Sequence, residues 1–302
     1  MRKRCENLPM AAMWMLAAML LFSLMGVCVK FASAQYNFFE LVGYRGLVSL
    51  VVIGLLTQVH GVSLRTPVPL AHTWRSVVGV SSLSLWFYSF AGLPLATAVT
   101  LNATAPVWIA LILMSAAFVL TARKADWRLT LAIIISFAGV ALVLKPTITQ
   151  DQLHYGFMGL LSGLLAAFAY LQVAQLGRMG EPEYRVVFYF SLGCMIGGLA
   201  GALAMGYNTQ HTWQGMGLLL AIGLLACMAQ MAMTRAYTVG KTLVIANLQY
   251  SGIVFSSFFG WLFFSDRVDW LAWLGIALII VSGIAATIYR PKIDAPDTSI
   301  GA

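Results

Sequence analysis

Arg45 follows Tyr44 inside a long apolar run, and Glu40 precedes it by five residues. A charged side chain in hydrocarbon costs a few kcal/mol on insertion scales, so each one there needs a reason. A guanidinium at that depth can meet a substrate carboxylate through paired hydrogen bonds. It can also snorkel outward or hold backbone carbonyls between helices. Arg45 lies about six residues inside the run, roughly 9 Å deep at the helical rise. Glu40 is nearer the outer end and on a different helix face. It reads either as an interfacial anchor or as the one buried carboxylate able to couple transport to protons.

Amides in other apolar runs widen the set: Asn102, Gln172, Gln175, Gln230, Asn247 and Gln249. Each can bind a solute or join two helices by a hydrogen bond of about 0.6–2 kcal/mol. Trp86, Tyr88 and Tyr250, with Trp108, Tyr170 and Tyr189, can stack on a planar or cationic ligand or simply pack and mark the interface. From these, the candidate substrate contacts are Arg45, Trp86, Tyr88, Asn102, Gln172, Asn247, Gln249 and Tyr250, with Glu40 as the coupling candidate. Pro106 and Gly252 are the expected helix breaks.

Enzyme signatures are missing. The four histidines, His60, His72, His154 and His211, are read as lying in separate loops without HExxH spacing, and no GxSxG elbow or GxxxxGK[ST] phosphate loop occurs. Cys5, Cys28, Cys194 and Cys227 form no CxxC pair. No metal site, cofactor or nucleic-acid partner is expected, and the basic residues are scattered rather than clustered.

The elements that carry these residues follow from composition. Of 302 residues, 61% are hydrophobic and 9% charged, against about 25% charged in a soluble protein. The solvent is mostly lipid. Runs of about 20 apolar residues, the length a helix needs to cross a bilayer, are placed at 10–29, 39–59, 76–92, 96–120, 129–144, 155–177, 186–205, 213–234, 242–264 and 270–289. The first exceeds a signal-peptide core, and Lys30 separates it from Ala32-Ser33-Ala34, so it is read as an uncleaved span.

Lys and Arg set the orientation. With the N-terminus inside, the cytoplasmic set is Arg2, Lys3, Arg4, Arg65, Arg75, Arg123, Lys124, Arg128, Arg178, Arg185, Arg235, Lys241, Arg290 and Lys292; Lys30, Lys145 and Arg267 fall outside. Both termini are expected in the cytoplasm, in an inner-membrane protein.

The chain also repeats itself. Asp126-Trp127 opens the fifth run and Asp269-Trp270 the tenth, and each run ends in a basic residue plus proline, Lys145-Pro146 and Arg290-Pro291. That spacing of 145 also relates Ala91 to Ala236, Thr97 to Thr242, Val99 to Val244 and Asn102 to Asn247. Five spans per copy make the second copy enter from the opposite side. The expected fold is therefore an all-α polytopic membrane protein of ten transmembrane helices in two inverted five-helix repeats, 10–145 and 155–290, with a cytoplasmic tail at 291–302.

Two five-helix copies, Tyr44-Arg45 in the second helix, and the pattern Ala91-x5-Thr97-x4-Asn102-x3-Pro106 resemble the drug/metabolite transporter superfamily, in particular members with two EamA domains. The second copy departs from the first: Ser251 stands opposite Pro106, and Val186–Tyr189 offers no basic residue opposite Arg45. The resemblance implies a secondary transporter working by alternating access on amino-acid derivatives, purines, vitamins, S-adenosylmethionine or drugs. Arg45 with amides and aromatics suits a zwitterionic or carboxylate-bearing solute. Export of an amino-acid-derived metabolite, including an amino-acid-based metal chelator, is the first reading. Uptake of a vitamin or nucleoside-like cofactor such as riboflavin or S-adenosylmethionine is the second, and a polytopic membrane enzyme is the alternative of another class. The partners are a small-molecule substrate and the lipid bilayer, with a monomer or homodimer both open.

Overall fold

A computed structural model describes residues 8–121, 127–128, 131–132, 134–136, 138–139, 142, 152–208, 210–240, 242–266 and 269–288. The described residues form an all-helical protein. Its helices are α1 (Leu8–Ala32), α2 (Phe38–Val59), α3 (Pro69–Gly92), α4 (Leu95–Asn102), α5 (Ala105–Thr121), α6 (Leu153–Arg178), α7 (Glu183–Met205), α8 (Trp213–Val239), α9 (Thr242–Leu248), α10 (Ser251–Phe264) and α11 (Trp270–Ile288). The residues described between 127 and 142 are also helical. The rest of the expected fifth run, like the tail at 291–302, lies outside the described residues.

Among the described residues, six helical segments are long and apolar enough to cross a membrane. Large apolar side chains cover their outer faces: Leu203, Leu55, Val51 and Ile196 are all exposed. That surface suits hydrocarbon, where a helix satisfies its own backbone and only its side chains meet the lipid.

Helices from the two halves of the chain interleave. The closest pairings are α2 with α7, α1 with α8 and α3 with α6. Small residues make the first of these possible. A Cβ on Gly46 would strike the backbone of Ser191 and Met195, and one on Gly198 would strike Gly43. Backbones thus touch where no hydrophobic drive exists between helices in lipid.

Both expected interruptions occur, slightly earlier than Pro106 and Gly252. The helical run 95–121 breaks at Ala103–Thr104, and 242–264 breaks at Gln249–Tyr250. Pro106 and Gly252 each take the second position of the helix that follows. A proline fits there because first-turn N–H groups have no intrahelical partner. At each break a hydroxyl covers a freed carbonyl: Thr104 Oγ1 donates to Leu101 O, and Ser251 Oγ to Leu248 O, both at 2.7 Å.

Two sequence expectations need correction. The third helix starts at Pro69, not Ser76, because proline supplies a helix start and the serines that dilute its hydropathy still form helical hydrogen bonds. Arg75 therefore lies within a helix, buried at 3% exposure, and leaves the cytoplasmic loop set. His72 is likewise inside α3 and buried, and His154 sits in the first turn of α6, so these two histidines are helical rather than in loops.

Candidate functional site

A cavity of about 80 Å³ lies between the halves. One wall comes from α1 to α4: Ser23, Arg45, Arg75, Gly79, Ser82, Trp86 and Asn102. The other comes from α6 to α10: Tyr170, Phe190, Gln230, Met233, Gln249 and Gly252. Both helix breaks border it, through Asn102 and Ala103 on one side and Gln249 and Gly252 on the other.

Arg45 is 2% exposed. Its Nη1 lies 3.3 Å from Cys194 Sγ, and its Nη2 donates to Gln230 Oε1 at 3.5 Å. Its Nε has no partner. The guanidinium of Arg75 lies over the Phe190 ring at 4.1 Å, and that of Arg45 reaches the same ring at 5.2 Å. Neither Nε nor Nη1 of Arg75 makes a hydrogen bond. One turn along α3, Gly79 leaves the space that Arg75 fills, since a Cβ there would overlap Nη1.

No carboxylate balances these two charges among the described residues. Glu40 caps α2: its Oε2 accepts from Asn37 N at 2.8 Å and its Oε1 from Asn208 N at 2.7 Å. Glu181 binds Thr66, His72 and Arg185, and Glu183 faces Arg235 at 3.6 Å. Asp266 pairs with Lys30 at 3.2 Å and accepts from Leu95 N at 3.1 Å. Asp269 accepts from Trp270 N. All five stand off the cavity wall.

The neutral polar groups on the wall are partly matched. Asn102 Nδ2 donates to Ser162 Oγ at 3.0 Å, and Gln249 Nε2 to Tyr237 OH at 2.6 Å. Gln230 Nε2 and Trp86 Nε1 have no partner. The buried polar atoms without a partner on this wall are thus Arg45 Nε, Arg75 Nε and Nη1, Gln230 Nε2 and Trp86 Nε1. Every one is a hydrogen-bearing nitrogen. A molecule seated here is asked for acceptors.

The structure brings together Arg45, Trp86, Asn102 and Gln249 of the sequence candidates, along with Gly252. It keeps the others off the wall. Tyr88 belongs to an aromatic group with Phe38 and Tyr155. Gln172, Asn247, Tyr250 and Pro106 are also absent from the lining, and Glu40 is occupied by its cap. Arg75 was missed. Pro69 as a helix start, and the Arg75-x3-Gly79 spacing that puts a large and an absent side chain on one face, were the signals for it.

This architecture, apolar helices around a polar cavity with discontinuous helices at its edge, defines a membrane transporter. A model of the EamA-like transporter family matches residues 9–145. The pseudopaline exporter CntI of Pseudomonas aeruginosa is 34% identical over 271 residues, 87% of this chain and 91% of that protein. The chain belongs to the EamA-like transporter family, within the drug/metabolite transporter superfamily. A riboflavin transporter of Rhizobium johnstonii is 28% identical, over 90% of this chain and 89% of its own. A solved crystal structure matches with a TM-score of 0.68 at 16% identity, over 94% of this chain and 99% of that one. At that identity the likeness concerns the fold alone.

Proposed function

We propose that this transporter exports a small, carboxylate-bearing metabolite derived from an amino acid, of the class that includes amino-acid-based metal chelators. The observation that carries the reading is the pair of buried arginines on the cavity wall, Arg45 and Arg75, whose unmatched N–H groups have no carboxylate beside them among the described residues. A carboxylate supplies the missing acceptors and charge, and arginine binds it in paired hydrogen bonds. The likeness to the pseudopaline exporter favours export, and over the riboflavin transporter it is the nearer in sequence.

The proposed architecture is ten spans in two inverted repeats, 10–145 and 155–290, with 291–302 as a tail and both termini in the cytoplasm of an inner-membrane protein. Exchange of the halves maps α1 onto α6, α2 onto α7 and α3 onto α8. The pairing α1–α8 then becomes α6–α3, and α2–α7 becomes itself, so the observed packing supports a two-fold relation. Rocking of one half against the other alternates access to the cavity. Glu40, with one oxygen engaged in the α2 cap and the other by Asn208 N, is a poor coupling group. Movement down the substrate's gradient or by exchange fits better.

Comparison of metabolites inside and outside cells with and without the gene tests this reading. Accumulation of an acidic amino-acid derivative inside the deletion strain is expected. Depletion of such a compound inside, with excess outside, supports uptake and overturns export.

A further inference from the structure

We infer that Arg45 and Arg75 form a two-point site that selects substrates with two carboxylates, a conclusion that rests on the carboxylate reading of the cavity and narrows it. The two guanidiniums share one platform, Phe190, at 5.2 and 4.1 Å. Their separation therefore cannot exceed the sum of those two distances, a span that two carboxylates joined through a short amino-acid skeleton can cover.

Charge decides the number of carboxylates. Each arginine is about 2–3% exposed, and the acidic side chains among the described residues are engaged elsewhere. A single carboxylate would leave one buried cation uncompensated, and breaking the balance of a buried charge is strongly destabilising. Two carboxylates give each guanidinium its own counter-ion and supply acceptors for Arg45 Nε and both open nitrogens of Arg75.

The wall also shows why Arg75 is held rather than free to snorkel out. Its guanidinium lies against Phe190 as a cation–π contact and occupies the hollow at Gly79. Arg45 is fixed by Gln230 and Cys194. Two cations are thus held against the same ring of α7, Phe190. The apolar remainder of the wall, Met19, Phe22, Leu83 and Met233, accommodates a nonpolar side chain on the same ligand.

Two probes differing by one carboxymethyl group test the site: phenylalanine and N-(carboxymethyl)phenylalanine. Their affinities for the purified full-length protein in detergent are measured by calorimetry. The wild type is expected to prefer the dicarboxylate by about tenfold or more. Arg75→Gln should bring that ratio close to one, and Gly79→Ala should do the same by displacing the guanidinium without removing its charge. Arg75→Lys keeps a cation and should keep part of the preference, which separates lost charge from lost folding. Equal affinities in the wild type, no binding of the dicarboxylate, or a preference that survives Arg75→Gln overturns the two-carboxylate site. Binding of both probes that is indifferent to Arg45→Gln overturns instead the carboxylate reading on which it rests.

Discussion

Two polar clusters meet on α3, one at the end of the bundle around Glu181, just before α7, and one in the central cavity, where α2 contributes Arg45. At the end, Glu181 takes His72 and Arg185 at 3.1 Å and Thr66 at 3.1 Å, so a carboxylate holds its cation within the protein. Burial pushes the Glu181 carboxyl up, but the hydrogen bonds of His72, Arg185 and Thr66 and the charge of Arg185 outweigh it and hold the group below its usual range. In the cavity, Arg45 and Arg75 have no such acid. α3 therefore carries a member of each, His72 in a charge system that closes on itself and Arg75 in one that is left open. Closed charges join elements; open buried charges in a membrane protein mark a ligand path.

The contrast is sharpened first by a control on packing. Gly46→Leu would drive a side chain into the backbone of α7, which cannot move aside. We expect a loss at or beyond the ~1–3 kcal/mol usual for overpacking, read as little folded protein in membranes. Its effect falls on fold and transport together, unlike that of any cavity residue.

Glu181→Gln comes next. Removing the charge strands His72 and Arg185, at about 1–3 kcal/mol for a buried polar group left unmatched, measured as a lower thermal unfolding temperature. Because the folded carboxyl titrates below its unfolded value, its contribution is present above that value, near 4.5, and disappears as the pH falls through it to the folded one. The wild type should lose stability over that acid window more steeply than Glu181→Gln. Parallel curves would remove Glu181 from the closed system.

A smaller effect is expected at the opposite end, where Asp266 joins Lys30 and the backbone of Leu95. Asp266→Asn should cost about 0.2–1 kcal/mol, since the pair is partly exposed and screened. Asn102→Ala, which breaks the bond to Ser162, should cost about 0.6 kcal/mol and is checked by the same unfolding measurement. If its transport falls much more than its stability, Asn102 belongs with the open system.

Much of this was legible in the sequence because lipid imposes a simple rule: a span must be long and apolar. The ends of α1, α2, α6 and α7 follow hydropathy closely, and the two interruptions lie within three residues of Pro106 and Gly252. Arg45 was visible because no loop boundary was near it. Arg75 was hidden for the opposite reason. It sits where a polar, serine-rich helix begins, and hydropathy alone places the boundary after it. Side-chain direction was the other missing quantity. Ala166, Ala169 and Tyr170 face the cavity from α6 while Gln172 does not, a difference of rotation that a polar residue's presence in a span does not reveal. Tyr88 and Tyr250 are likewise absent from the cavity lining.

The most direct measurement of the central claim is export by Arg45→Gln in cells that lack the native gene, with the amount of folded protein in the membrane matched to wild type. An acidic amino-acid-derived metabolite is expected to accumulate inside these cells as in the deletion strain, while wild-type protein restores its release. Release by Arg45→Gln at the wild-type rate would contradict that claim.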